Sequence, residues 1–353
     1  MIHTLTSDWG NGRIFAISGD GLLHAFDAIT GFEWSGFPIQ IMDPSNIDQN
    51  GVPTTYVYGS PLYNYENGSL YIATASACDA GTYYGQIAQV DVWWFDVPQV
   101  IARWFPDGAN GPAGGGIWGP GGVALDPGLA VYVGTGNAVA NPENFGYADK
   151  VVRLGLDLGV QGADGPNISN GDFDFGSTPV LYQAPNCPSQ LALMNKNGVL
   201  YVYNRDAIGT GPVQALQISG QQQVYIGAVA YDPVFNQIYT GNTVDDGAGI
   251  FNHGIIALTP QSDCTLGLAW QQSVGPNGGD NYPPVIPPIA ANGVVYYATG
   301  AGSQVYGFDA ASGRYLWDTG SLIQNGIYAS PMVVNGQLFV AGFDHKLYAF
   351  GLP

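Results

Sequence analysis

The 353-residue chain is 46% hydrophobic, enough for a sizeable core, yet only 10% charged, and its 52 Gly, 24 Pro and 22 Tyr make a turn-rich β composition. Twenty-seven acidic residues against 8 basic ones leave a formal charge of −19, which argues against nucleic acid and anionic lipid as partners and leaves room for a cation such as Ca²⁺. No apolar run reaches membrane-helix length, so no transmembrane segment is expected, and Met1-Ile2-His3-Thr4 lacks the basic start and apolar run of a secretory signal. Few Lys and many Asn, Gln, Gly and Tyr point to an exported protein, secreted or periplasmic.

In chain order, Gly12 to Trp34 contains two strands joined by a turn and followed by Phe26-Asp27-Ala28 with Thr30-Gly31. This first repeat, about residues 1 to 45, has a poorly defined opening strand. The second has strands at Gly59 to Leu62, Leu70 to Ala73, Gln86 to Val90 and Val100 to Trp104. The third has Val123 to Leu125, Ala130 to Val133 and Lys150 to Leu154, with an unclear fourth strand. The fourth runs through Pro179 to Tyr182, Leu191 to Met194, Val199 to Val202 and Val213 to Ile218, and the fifth through Gly227 to Tyr231, Gln237 to Thr240, Gly254 to Leu258 and Leu266 to Trp270. Gly293 to Trp317 is a sixth repeat, in which Phe308-Asp309-Ala310 with Ser312-Gly313 matches the first. Gly336 to Gly351 is the same unit without its last strand. No stretch reads as an amphipathic helix.

In each Asp-Ala-x-Thr/Ser-Gly turn, Asp27 or Asp309 caps the hairpin and Gly31 or Gly313 supplies a positive φ. Four-stranded units recurring every 40 to 50 residues or so predict an all-β fold, a β-propeller of about seven blades with eight allowed, forming one domain over 1–353. Trp34, Trp104, Trp270 and Trp317 then wedge between blades from the outer strands. Ile2 to Thr6 is expected to complete the final blade and close the ring. Cys187 and Cys264 fall at comparable places in successive repeats; they either pair in an oxidising compartment or remain separate buried thiols.

The turns between second and third strands share one face with the entries to the first strands. They carry Asp20, Cys78 with Asp79, Asn137, Lys196, Asn242 with Asp245 and Asp246, and Asp344 with Lys346, while the entries carry Trp118 and Asp174. Such a ring of oxygen donors suits a hard cation. Each member also has a plain reading: Trp118 as core, Asn137 as a Thr-Gly-Asn turn residue, Asp174 as a cap, Lys196 as a solvated lysine, and His24 and His253 as structural.

The repeats resemble those of the quinoprotein alcohol dehydrogenase-like propellers, which include pyrroloquinoline quinone (PQQ) dehydrogenases and a non-catalytic outer-membrane assembly propeller. Gly114-Gly115-Gly116-Ile117-Trp118 with Tyr132 to Asn137 is similar to the segment whose Trp lies under the quinone and whose Asn coordinates Ca²⁺. Asp172-Phe173-Asp174-Phe175-Gly176 resembles the segment of the catalytic aspartate, and Asn195-Lys196-Asn197-Gly198 the one whose basic residue contacts the quinone oxygens. The resemblance implies Trp118 and Lys196 at PQQ, Asn137, Asp174 and Asp79 at Ca²⁺, Asp174 as general base and Lys196 as electrophile. It implies two function classes: a dehydrogenase of an alcohol or sugar, or a binding or assembly module with a protein partner. Self-assembly through exposed outer strands fits the second class.

Overall fold

The computed structural model describes residues 5–8, 12–42, 54–76, 79–93, 97–108, 113–139, 146–166, 172–220, 227–275, 277, 286–300 and 302–351. The fold is a β-propeller of seven blades, each an antiparallel meander. Six are four-stranded and the seventh has three strands among the described residues. The one helical piece described is a short 3-10 turn at Arg205–Thr210, and no described helix is long and apolar enough to cross a membrane.

The chain divides into two compact units, residues 1–179 with 207–211, and residues 180–206 with 212–353. The first holds three sheets. Leu5–Asp8, Arg13–Ile17, Leu22–Asp27 and Ile39–Gln40 form the first sheet, and Leu62–Asn64, Ser69–Thr74, Gln86–Asp91 and Gln99–Trp104 the second. Ala124–Asp126, Ala130–Gly134, Val151–Leu154 and Val160–Asp164 form the third. Aliphatic faces of consecutive sheets meet: Phe15, Ile17 and Leu23 pack with Leu70, Ile72 and Val90, and Ile87 and Trp104 pack with Val131, Val133 and Val152.

The second unit follows the same plan. Its sheets run from Val180–Tyr182 to Gln214–Gln217, from Ala230–Asp232 to Leu266–Gln272, from Ile289–Ala291 to Tyr315–Asp318, and through Met332–Val334, Gln337–Ala341 and Leu347–Gly351. Cys187 and Cys264 form a disulfide between the first two of these sheets, with Cα atoms 5.6 Å apart. The repeated hairpin turn is built as its sequence requires. The Asp27 carboxylate accepts from the Thr30 N–H at 2.7 Å, that of Asp309 from the Ser312 N–H at 2.9 Å, and Gly31 and Gly313 take φ values of 73° and 70°.

Three of the four expected tryptophan wedges are present. Trp104 is buried with the second and third sheets, the Trp270 indole donates to the Ala310 carbonyl of the next sheet at 3.0 Å, and Trp317 meets Phe350 at a centroid distance of 5.3 Å. Trp34 is a correction. It precedes the true fourth strand, Ile39–Gln40, and remains 40% exposed, with the Arg13 guanidinium 5.6 Å above its ring.

The expected closure also changes. Thr6 pairs with Phe15, so Leu5–Asp8 is the inner strand of the first sheet, not the outer strand of the last. A neighbouring hairpin costs far less closure entropy than pairing across the whole chain. Ile2 to Thr4 lie outside the described residues. The unclear fourth strand of the third repeat is Val160–Asp164, shifted by a bulge at Arg153/Leu154.

Candidate functional site

The glycine run before Trp118 is threaded between two sheets of the first unit. Gly114 N–H donates to Tyr83 O, Gly115 N–H to Asn137 O at 2.8 Å, Gly136 N–H to Gly116 O at 2.7 Å and Ile117 N–H to Thr74 O. A Cβ at Gly114 would come within 2.5 Å of the Asn137 carbonyl oxygen, and one at Gly116 within 2.9 Å of the Ala75 side chain. Only glycine lets this ribbon lie so close to both neighbours. Its consequence is placement: Trp118 leaves the ribbon beside Asn137 in the third sheet's turn.

Asp174 enters the same place from the end of the unit. Phe175 N–H donates to the Thr135 carbonyl, and Phe173 and Phe175, the neighbours of Asp174 in sequence, are both buried. Asp174 is itself buried. Its Oδ2 accepts from the Trp118 indole N–H at 3.1 Å and its Oδ1 from the Asn137 backbone N–H at 3.1 Å. Gly176 leaves the Trp118 ring its place, since a Cβ there would meet the ring at 2.7 Å. Residues 56 and 37 positions apart in sequence thus meet on one carboxylate. The Asn137 side-chain Oδ1 is buried and makes no hydrogen bond.

Asp79, in the neighbouring turn, adopts a φ of 51° and accepts from the Tyr83 hydroxyl at 2.6 Å. Burial, then the negative field of Asp79, Asp174 and Asp107, pushes the Tyr83 phenol far above its usual range, so Tyr83 stays a neutral donor. Cys78 lies outside the described residues. Lys196 is in the second unit, half-buried in the tight turn where Gly198 N–H donates to Asn195 O at 2.9 Å. The structure therefore gathers Trp118, Asn137 and Asp174, ties Asp79 to them through Tyr83, and leaves Lys196 to the other unit.

Other members of the expected acidic ring are occupied locally. Asp246 accepts N–H bonds from Ala248, Gly249, Ile250 and Phe251, and Asp245 bonds His253 and Asn277, so these are loop-building carboxylates. Asn242 donates to the Ile218 and Asn252 carbonyls, and Asp344 accepts from Tyr348 and pairs with Lys346. Asp20 accepts from Ser18, and His24 bonds Glu33 at 2.7 Å. Among the described residues no group of three or more His, Cys, Asp or Glu side chains is placed to hold a metal ion.

Asp107 and Tyr83 are absent from the reading by sequence. Asp107 follows Phe105-Pro106 and precedes Gly108, a surface-turn signature. The turn forms, with Gly108 N–H donating to Phe105 O at 3.1 Å, but the carboxyl is buried and pushed up to about 6 by that burial, against a smaller opposing pull from the Ala148 N–H and the Lys150 ammonium. Tyr83 is one tyrosine of 22, and nothing local marks it.

No family model matches the sequence and no curated protein is similar to it at a significant level. Solved structures are similar in fold. The quinohemoprotein alcohol dehydrogenase ADHIIG from Pseudomonas putida HK5 is 14% identical with a TM-score of 0.68, covering 93% of this chain and 60% of its own. A europium-containing methanol dehydrogenase is 17% identical with a TM-score of 0.64, covering 98% of this chain and 72% of its own. BamB from Moraxella catarrhalis is 12% identical with a TM-score of 0.62, covering 100% of this chain and 86% of its own. The chain thus spans about three fifths of the first dehydrogenase. At these identities the likeness is one of fold, that of the PQQ-repeat propellers.

Proposed function

We propose that the first unit carries an oxidation site of the quinoprotein kind, in an exported protein that acts on an alcohol or sugar. The observation that supports it is the meeting of Trp118, Asn137 and Asp174 on one buried carboxylate, with the Asn137 amide oxygen left unpartnered beside it. A buried acceptor without a donor costs free energy unless something electropositive reaches it. The donor set fits a hard cation of the Ca²⁺ type, since an amide oxygen and a carboxylate are its ordinary ligands and Asp79 is a further carboxylate in the adjoining turn.

Asp174 and Asn137 would hold that ion, and Trp118 would present its ring to a planar quinone. When bound, PQQ would supply the two-electron acceptor and Ca²⁺ would polarise its carbonyl. The chain's own part is positioning and proton transfer. The Trp118 indole N–H on Oδ2 and the Asn137 N–H on Oδ1 orient the Asp174 carboxylate. Asp174 then accepts the hydroxyl proton of the substrate as general base. The resemblance gives Lys196 the role of an electrophile at a quinone oxygen. The Cys187–Cys264 disulfide suits an oxidising compartment.

The test is to incubate the protein with Ca²⁺ and PQQ and follow quinone absorbance and dye reduction with short alcohols and sugars. The reading expects bound quinone and turnover, with Asp174→Asn losing turnover while retaining quinone, and Lys196→Met losing both in part. Absence of quinone binding at micromolar PQQ would overturn it. A second reading, a non-catalytic binding or assembly module, draws on the match in extent to BamB, 86% of that chain against 60% of the quinohemoprotein. The formal charge of −19 also opposes a trianionic cofactor.

A further inference from the structure

A groove of about 530 Å³ lies within the first unit, along the inner strands of the second and third sheets. Leu62, Val123, Leu125, Pro127 and Pro179 make most of its lining apolar. Tyr63 and Tyr65 add two rings set edge to face, with centroids 4.7 Å apart, Tyr63 buried and Tyr65 57% exposed. Tyr65 and Glu66 follow the inner strand Leu62–Asn64, and Pro127 follows Ala124–Asp126. Trp118 precedes Ala124–Asp126, so Trp118 and this end of the groove belong to opposite ends of one strand.

The polar groups of the groove select its ligand. Thr178 Oγ1 accepts from the Gly121 N–H at 2.8 Å and Asn64 Oδ1 from the Glu66 N–H at 3.0 Å, so both oxygens serve the backbone. Glu66 is the one charged residue of the lining, and it is exposed. Its carboxylate lies over the turn of the third sheet, where a Cβ at Gly128 would come within 2.8 Å of Oε2. No Lys, Arg or His pairs with it among the described residues.

We propose that this groove binds an organic ammonium ion, a positive nitrogen carrying apolar or aromatic substituents. The aliphatic and proline walls bury the substituents, and the volume is that of a small-molecule site. A tyrosine ring attracts a cation to its face, and the Glu66 carboxylate supplies the opposite charge beside it. The formal charge of −19 draws cations to the chain and repels carboxylate ligands. A bare metal ion would make no use of the apolar walls, and a neutral ligand would make none of Glu66.

This inference does not depend on the oxidation site. Its test is calorimetric titration of the intact protein, without quinone, with benzyltrimethylammonium, and with benzyl alcohol and benzoate as neutral and anionic counterparts. The ammonium should bind saturably with a Kd of about 1 mM or tighter, benzyl alcohol about tenfold more weakly and benzoate not at all. Glu66→Gln should weaken the ammonium about tenfold without changing benzyl alcohol, and Tyr65→Leu should weaken it severalfold. Both positions are exposed, so the variants should keep the parent's circular dichroism. No saturable binding of the ammonium, equal binding of benzyl alcohol, or binding indifferent to Glu66→Gln would overturn the proposal. So would binding that Trp118→Ala removes and Glu66→Gln leaves intact, which would give the cation to the site of Trp118 and Asp174.

Discussion

The second and seventh sheets start from the same pattern and end in different states. In the second, all six residues of Gln86–Asp91 are buried between two neighbours, polar ones included. Each polar side chain has its partner: Gln89 donates to Ser69 Oγ at 3.1 Å, Gln86 to the Ile41 carbonyl, and Arg103 to Gln86 Oε1 at 2.8 Å. In the seventh, the corresponding strand alternates between exposed and half-buried. A sheet sealed on both sides can hold polar groups in one arrangement, as a catalytic or metal site requires. Among the described residues Leu347–Gly351 pairs with Gln337–Ala341 alone, and its side chains are not sealed in that way.

The sharpest way to break this contrast is to remove a wedge from the sealed side. Trp104→Ala should cost the first unit about 3–5 kcal/mol by urea unfolding, through lost transfer energy and the cavity left in the second and third sheets. Trp34→Ala, at an exposed ring, should cost under about 1 kcal/mol. Equal losses would show that sealing does not govern where the stability lies. Next in size, replacing Cys187 and Cys264 together with alanine should cost the second unit roughly 2–4 kcal/mol, since the bridge closes a loop of 77 residues in the unfolded chain. Asp174→Ala should cost roughly 2–3 kcal/mol, because the Trp118 and Asn137 N–H groups lose their acceptor.

A smaller effect depends on pH. The Asp107 carboxyl, pushed up to about 6, binds its proton more tightly folded than unfolded, where its value is near 3.8. Ionising it therefore destabilises the fold fully above pH 6 or so, and that penalty disappears as the pH falls below the unfolded value. Asp107→Asn should stabilise the first unit by about 1 kcal/mol at pH 8 relative to its effect at pH 4, read as the difference between variant and parent. A difference that grows on acidification would contradict the assigned burial.

Much of the fold is legible in the sequence. Turns of the Asp27 and Asp309 kind carry their own mechanism, and aliphatic strands such as Leu191 to Met194 announce themselves by burial on both faces. Val160–Asp164 did not, because Gln161, Gly162 and Asp164 leave it little strand character, and its pairing is set by the neighbour it lies against. Trp34 misled for a related reason: it follows the Asp27 turn much as Trp317 follows the Asp309 turn, but the first sheet's fourth strand forms only at Ile39–Gln40. Trp118, Asn137 and Asp174 were legible through resemblance, whereas their mutual hydrogen bonds depend on a ribbon of glycines passing between sheets. Asp107 was hidden by a sequence that belongs to a surface turn.

The most direct measurement of the central claim uses Tb³⁺ as a Ca²⁺ surrogate, excited through the protein's indoles. A cation held at Asn137 and Asp174 sits beside Trp118 and should give saturable sensitised emission that Ca²⁺ displaces. Trp118→Phe should remove most of that emission without weakening Ca²⁺ binding measured by calorimetry, and Asp174→Asn should weaken binding itself. Emission that survives both substitutions, or none in the parent protein, would contradict the site.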